Sequence, residues 1–184
     1  MDHYPDELEP PRGEWEDIDK NLFAVWWTQV SSRFPTVPEE VAKYWLHEHW
    51  GFSPYKYLVS ASYRFERVTW APERVNDIAS CWNEFKAGDD HCAAKGRELC
   101  TEKMFGGGTY KTAAYMMEAK RFPTPIVVLD NNDGHHNADY PDEFPLPNGY
   151  VLIEGHTRFN IASYLAPNGG LAILDVWLVK KASS

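Results

Sequence analysis

Residues 149–165, GYVLIEGHTRFNIASYL, constrain the fold more than any other stretch of the chain. Residues 150–154 are mostly aliphatic, β-branched or aromatic, which predicts a strand, and residues 157–166 place apolar side chains at the spacing of a short helix. Gly155 stands between the two and permits the positive φ angle that a sharp turn needs. A strand that passes through one glycine into a helix predicts a sheet with that helix packed against it.

Other runs predict the rest of this architecture. Residues 124–130, TPIVVLD, and residues 171–181, LAILDVWLVKK, are each predicted to form a strand, and residues 57–70 predict a strand with one solvent-facing side. The predicted fold class is therefore α/β (α+β), with a small mixed sheet surrounded by helices. Apolar stripes predict those helices over residues 21–34, 36–50, 72–85, 89–105 and 109–121.

The predicted domain organisation has three parts. Residues 1–20 are an acidic tail, residues 21–56 a helical extension, and residues 57–184 the α/β domain. The tail carries most of the net charge of −9, because residues 1–19 contain eight acidic residues and one basic residue. A stretch rich in acid and proline is typical of solvated chain, so we expect the tail to be disordered.

The remaining charge leaves room for an anionic partner. Residues 95–121 contain six basic and three acidic residues, which predicts a local basic surface that could contact DNA. The aromatic helices of residues 21–56 offer a surface for a protein partner. No apolar run approaches the roughly 18 residues of a membrane span, so no membrane partner is expected.

The N-terminus and the cysteines indicate a cytoplasmic protein. The first residues lack the basic start and the apolar stretch of a signal peptide. Cys81, Cys92 and Cys100 form neither a CxxC pair nor a disulfide-rich framework, so we expect reduced, mostly buried thiols.

The turn at residues 155–158, Gly-His-Thr-Arg, carries the groups of a phosphate site. The amides after Gly155 open a helix, and the helix dipole favours an anion there. Arg158 in the first helical turn opposes that dipole, and a bound phosphate would resolve the conflict through charge-assisted hydrogen bonds. Thr157 can donate its hydroxyl to the same phosphate. The alternative is a plain glycine turn, with Thr157 as the helix cap and Arg158 on the surface.

Five further residues are candidates for the same site. Glu154 ends the strand beside the turn, where its carboxylate could hold Mg²⁺ or act as a general base, or could simply be exposed. His156 could donate to phosphate or serve as acid or base near neutral pH, or could be structural. Arg64 and Glu66 share one face of the first predicted strand, as a phosphate ligand and a second carboxylate. Lys111 opens the helix after a glycine-rich loop and could contact a phosphate.

Three of these runs, PIVVLDN, GYVLIEGHTRFNIASYL and LAILDVWLVKK, together resemble the ParB/sulfiredoxin superfamily. In that superfamily a strand ends in a Gly-x-x-Arg turn, and the next helix points its amides at a nucleotide phosphate. The resemblance covers residues 123–181 well, extends to residues 57–122 through the preceding strand and helices, and leaves out residues 1–55. The turn is most similar to the Asp-Gly-His-His-Arg type of ParB-like kinases and nucleases, with Glu154 and Thr157 as the differences.

The resemblance implies a nucleotide-binding protein that hydrolyses phosphoesters. Its cofactors would be ATP, or another nucleotide, and Mg²⁺, and its activity that of an ATPase and/or a Mg-dependent DNase carried by a plasmid or another mobile element. Sulfiredoxins have a nucleophilic cysteine where this chain has His156, and no cysteine is expected near the turn, so reduction of a sulfinic acid is not expected. A nucleotide-switched interaction or inhibitor protein without catalysis, and a ParB-like small-molecule kinase, stay open as alternatives.

Two histidine motifs are interpreted as lying outside the site. Asp-Gly-His-His at residues 133–136 copies the superfamily turn, but we expect no helix after it, so its amides would not converge on an anion. We interpret it as a lid or hairpin insertion, with His135 and His136 as possible accessory ligands. His47-Glu48-His49 lacks the spacing of a zinc motif and is predicted to lie on a helix surface.

Overall fold

The computed structural model describes residues 6–13, 17–59, 62–88, 90–102, 108–141 and 143–182. The strands are β1 (Tyr63–Trp70), β2 (Ile78–Ala79), β3 (Ile126–Asn131), β4 (Gly149–Glu154) and β5 (Leu174–Lys181). The helices are α1 (Phe23–Val30), α2 (Glu39–Val41, continued as a π-helix over Ala42–His47), α3 (Asp90–Thr101), α4 (Lys111–Ala119), α5 (His135–Asp139) and α6 (His156–Leu165). Short 3-10 segments lie at Asp6–Leu8, Lys20–Leu22, Ser31–Arg33, Lys56–Val59, Pro72–Asp77, Cys81–Asn83 and Ala166–Asn168.

The five described strands form one mixed sheet in the order β1-β5-β3-β4-β2. Strand β3 runs antiparallel to β4, with Val128 opposite Leu152, whereas β2 runs parallel to β4, with Ala79 opposite Val151. The predicted α/β class with a mixed sheet is therefore confirmed. Because β2 and β4 are parallel, their carboxyl ends meet at the same edge of the sheet, where β4 passes into α6.

Contacts within the chain divide it into two compact units. The first comprises Met1–Phe65 with Val179–Ser184, and the second comprises Glu66–Leu178. The division falls later than the predicted boundary at residue 57, and the end of β5 belongs to the first unit. None of the described helices is long and apolar enough to span a membrane.

Aromatic side chains form the core of the first unit. Trp26, Phe34 and Trp45 are buried, and the ring of His47 lies 5.1 Å from that of Trp26. His47 is fully buried, so its predicted surface position is wrong. The imidazole fills the space between α1 and the π-helical part of α2, where burial of the ring in an apolar cluster outweighs its polarity.

Part of the acidic N-terminal segment packs onto this core. Leu8 is buried, and its carbonyl accepts a hydrogen bond from the indole of Trp26 at 2.9 Å. Arg12 and Ile18 form an isolated antiparallel bridge. Leu8 thus packs against α1, while residues 1–5 and 14–16 lie outside the described residues.

The core of the second unit lies between the sheet and helices α3, α4 and α6. Its centre is apolar, with Ile126, Leu152 and Ile161 each 0% exposed. Each such side chain contributes about 1.5–3 kcal/mol on burial. Helix α3 crosses α6 so closely that a Cβ on Gly96 would lie 1.9 Å from the carbonyl oxygen of Asn160. This packing fixes α6, and hence its N-terminus, against the sheet.

Two predicted segments differ from the structure in ways that change the site. The helix predicted over residues 72–85 is wrong: Pro72–Asp77 is a 3-10 segment, and Ile78 and Ala79 form β2. Ile78 and Ala79 pair with β4, and the strand supplies hydrogen-bond partners for their backbone groups. This tertiary pairing outweighs the helix preference that their spacing suggests. The expectation of no helix after residues 133–136 is also wrong, because Gly134 adopts φ +70° and α5 follows it.

Candidate functional site

The turn between β4 and α6 is built around Gly155, as its sequence predicts. Gly155 adopts φ +98° and ψ +27°, the left-handed region that side chains disfavour, and its carbonyl accepts the first helical hydrogen bond from Phe159 at 2.8 Å. A Cβ here would lie 2.6 Å from Cγ2 of Ile126 and 3.0 Å from Nη2 of Arg158. Glycine is therefore required both by the backbone conformation and by the lack of space.

The first turn of the ten-residue helix α6 supplies backbone donors at this point. The amides of residues 156–158 precede the first internal hydrogen bond of the helix and face its N-terminal end. Gly155 has no side chain with which to cap them. The positive end of the helix dipole lies at the same place, so the geometry favours an anion.

Arg158 lies over the glycine and forms an ion pair with Glu154. Its Nη2 donates to Oε2 of Glu154 at 2.5 Å, and its Nη1 donates to the hydroxyl of Thr124, also at 2.5 Å. Both charged side chains are only 15% exposed. This pairing supplies a reason within the chain for an arginine in the first helical turn, where the sequence suggested either a bound phosphate or a surface position.

One donor of that guanidinium is not used. The Nε of Arg158 is buried and has no hydrogen-bond partner among the described residues. A buried donor without an acceptor costs about 1–3 kcal/mol, so such an atom in a folded protein calls for an ordered water or a ligand oxygen. The guanidinium of Arg158 therefore binds the Glu154 carboxylate through Nη2, and its Nε–H group can still donate one hydrogen bond.

The imidazole of His156 contacts two residues that follow β2. Its Nε2 lies 3.4 Å from the sulfur of Cys81, and its ring stacks on the indole of Trp82 with centroids 4.9 Å apart and planes inclined by 24°. Cys81 is partly exposed, and Trp82 is 52% exposed. The expectation that no cysteine lies near this turn is wrong.

Strand pairing explains how Cys81 reaches a histidine 75 positions later in the chain. Ser80 follows the two residues of β2 and caps the next 3-10 segment, accepting from the amide of Trp82 at 3.3 Å. Because β2 is parallel to β4, this segment leaves the sheet at the edge where β4 enters α6. A two-residue strand has no periodic signal, so sequence patterns could not place Cys81 here.

The other predicted site residues are distributed unevenly around the turn. Thr157 is half-buried at the second position of α6, next to His156 and Arg158. Lys111 is exposed at the first residue of α4; residues 103–107, which include part of the glycine-rich loop before it, lie outside the described residues.

The first strand does not bring Glu66 to the turn. Glu66 is exposed on β1, and β5 and β3 lie between β1 and β4. Three strand spacings of about 4.8 Å put β1 about 14 Å from β4. Arg64, also exposed, lies on the same strand within the first unit.

The residues at the turn do not fit a metal ion held by the protein alone. Glu154 is the carboxylate predicted to bind Mg²⁺, and it is engaged by Arg158. Over the described part of the chain, no group of three His, Cys, Asp or Glu side chains could hold a metal ion. His135 and His136, the possible accessory ligands, are buried against their own loop, where His135 contacts Asp133. A Mg²⁺ ion at this turn would therefore depend on phosphate oxygens and water for its ligands.

A cleft of about 100 Å³ lies beside α6, but away from the turn. Its lining includes Ile78, Asn83, Asp90, Phe159 and Ser163, and none of residues 154–158. A pocket for a small organic ligand commonly has a volume of about 300–1,000 Å³, so this cleft is too small to enclose a nucleotide.

Comparisons of the chain with protein-family models, with curated proteins and with solved structures gave no match. The resemblance to the ParB/sulfiredoxin superfamily thus stays a prediction from the motif.

Proposed function

We propose that the chain binds a nucleotide, with one phosphate at the turn between β4 and α6. The observation that carries this proposal is the glycine turn itself. Its left-handed Gly155 ends a strand, opens a ten-residue helix without a capping side chain, and lies beneath a guanidinium with one buried unused donor. Three backbone amides at the start of a helix, with the guanidinium of Arg158 beside them, suit the oxygens of a phosphate.

The ion pair modifies how a phosphate would bind. Glu154 neutralises Arg158, so the attraction for an anion comes chiefly from the helix dipole and the amides. An entering phosphate either shares the guanidinium through Nε or displaces the carboxylate from Nη2. In both cases the negative charge of Glu154 repels the phosphate and therefore lowers the affinity for the nucleotide.

Trp82 favours a nucleotide over a simple phosphate. One face of its indole stacks on His156, yet the side chain is 52% exposed beside the turn. A base that stacks on an aromatic ring gains about 1–3 kcal/mol without regard to its identity. Trp82 thereby provides a platform for a base whose phosphate lies on α6.

We propose that the bound phosphoester is also hydrolysed at this turn. The protein would then act as an ATPase and/or a Mg-dependent DNase. His156 is the acid–base group at the turn that is outside the Glu154–Arg158 ion pair, and it would take a proton from the attacking water. The amides would stabilise charge on the phosphoryl oxygens. Mg²⁺ carried by the nucleotide would supply further charge neutralisation.

A binding module without catalysis is the second candidate function. The pairing of Glu154 with Arg158 favours it, because a carboxylate in a buried ion pair is a poor general base. DNA or a protein partner could also bind to such a module. In the basic region of residues 95–121, however, Lys95 pairs with Glu98 and Arg121 with Asp175, which weakens the case for DNA. The large rings of α1 and α2 are mostly buried in the core, which weakens the case for a protein partner on that surface.

A thermal-shift panel tests the binding step. ATP, CTP, GTP and UTP, each with Mg²⁺, are compared with the corresponding nucleosides and with inorganic phosphate. We expect nucleotides to raise the melting temperature and nucleosides not to, because the phosphate is the anchor. Thr157→Val should weaken binding several-fold, about 1 kcal/mol for one hydrogen bond. Ser163→Ala, two turns further along α6, should bind as the wild type does.

A second measurement separates the two candidate functions. Phosphate release and plasmid nicking are followed at saturating nucleotide with the same protein. Turnover that His156→Gln abolishes supports the hydrolase, whereas a shift in melting temperature without turnover supports the binding module. A panel in which no nucleotide shifts the melting temperature would contradict both.

A further inference from the structure

The three cysteines of the chain occupy different environments. Cys92 and Cys100 are buried in the core of the second unit at 3% and 9% exposure. Burial raises the pKa of the Cys100 thiol, which keeps it protonated. Cys81 alone is partly exposed. The chain therefore carries two internal controls for the reactivity of the third thiol.

Cys81 lies where a thiol can lose its proton. Its sulfur is 3.4 Å from Nε2 of His156, within reach of a weak hydrogen bond to that imidazole nitrogen. His156 is the first residue of α6, so the positive end of the helix dipole lies next to the pair and favours a thiolate. A nucleophile, an adjacent base and a third group that orients the base, here the stacked ring of Trp82, form the arrangement of an activated thiol.

We propose that Cys81 and His156 form a peroxide-reactive thiol site. His156 accepts the thiol proton while the sulfur attacks one oxygen of hydrogen peroxide. The S–O bond forms as the O–O bond breaks, and the departing hydroxide takes the proton from His156 and leaves as water. The sulfur loses the two electrons that the peroxide gains, so that Cys81 ends as a sulfenic acid.

Cys81 is partly exposed, so hydrogen peroxide can reach its sulfur from solvent. The ring of Trp82 stacks on His156 and holds the imidazole in place. Because the reaction needs no phosphate at the turn, this site stands or falls independently of nucleotide binding.

The test is sulfenic-acid trapping on the full, reduced chain without nucleotide. The protein is treated with a series of peroxide concentrations in the presence of dimedone, and peptide mass spectrometry measures the adduct on each cysteine. We expect Cys81 to react at least about tenfold faster than Cys92 or Cys100, as thiolate character and exposure decide this reaction. Addition of dithiothreitol before dimedone should remove the signal, since a sulfenic acid is reversible.

Two variants distinguish an active imidazole from a merely covering one. His156→Gln should lower the rate at Cys81 about tenfold or more, because the proton acceptor is gone. If His156 only shields the thiol, the same change would expose Cys81 and raise its rate. Ser163→Ala, on the same helix but outside the thiol site, is the matched control and should react as the wild type does. Equal reactivity of the three cysteines in the folded protein, or a His156→Gln variant that reacts as fast as wild type or faster, would overturn the proposal.

Discussion

Replacement of Arg158 by methionine should destabilise the second unit, because the structure uses this side chain internally. Arg158→Met keeps an aliphatic side chain but removes the guanidinium that donates hydrogen bonds to Glu154 and Thr124. Loss of one partner of a fully buried ion pair costs about 3–5 kcal/mol; with both side chains 15% exposed, we expect about 2–3 kcal/mol. For a chain of this size that corresponds to a fall of roughly 5–10 °C in melting temperature.

A double-mutant cycle turns this cost into a test of the pair. Glu154→Gln should cost less, about 1–2 kcal/mol, since the amide oxygen still accepts from Nη2. The double variant should be more stable than the sum of the two costs predicts, with a coupling of about 1–2 kcal/mol. The assay is urea unfolding followed by circular dichroism, with the slope against urea checked for constancy.

A surface ion pair serves as the matched control. Lys95 and Glu98 are 2.6 Å apart on α3, but their side chains are 44% and 43% exposed. Lys95→Met should therefore cost no more than about 0.5 kcal/mol. Additive effects of Arg158→Met and Glu154→Gln, or an Arg158→Met cost as small as that of Lys95→Met, would refute the reasoning.

Three further predictions concern glycines and one buried histidine. Gly155→Ala should destabilise the protein by about 2–3 kcal/mol from strain and contact, and more than Gly169→Ala, which has a positive φ but open space; melting temperatures compare them. Gly96→Ala should cost about 2–4 kcal/mol in urea unfolding, because its Cβ would meet the backbone of α6. Burial lowers the pKa of His47, so the unfolded chain, with a pKa of about 6.5, binds the proton more readily. Stability is then complete above that value and falls as the pH decreases toward the lowered pKa, and His47→Leu should remove this part of the fall in melting temperature between about pH 7.5 and pH 5.5.

The strand, turn and helix of residues 149–165 could be predicted from sequence because each rests on local properties. Apolar strand residues, one glycine and a helical stripe lie next to each other in the chain, and tertiary packing agrees with all three. The partners of the turn could not be predicted in the same way. The side chain of Arg158 is held toward Glu154 in part by its hydrogen bond to Thr124. Thr124 lies 34 positions earlier in the chain, and no sequence pattern predicts a contact over that separation.

The segment around Cys81 shows the opposite case, in which a local pattern misled. Val75, Ile78 and Ala79 fit a helical stripe, but the same side chains are buried when residues 78 and 79 pair with β4. An apolar run of this length serves equally as strand or helix, and the neighbouring strand decided between them. Because residues 72–85 were predicted to form a helix, Cys81 was not expected near the turn. The pairing of β2 with β4 places it beside His156.

Titration of the ¹⁵N-labelled protein with nucleotide is the most direct measurement of the central claim. If a phosphate binds at the N-terminus of α6, the backbone amides of residues 156–158 and the Nε–H of Arg158 should show the largest chemical-shift changes, and they should saturate together. The indole signal of Trp82 should follow them if the base stacks there, and nucleoside alone should leave the three amides in place. Changes that saturate elsewhere in the chain while these amides stay unmoved would contradict the account.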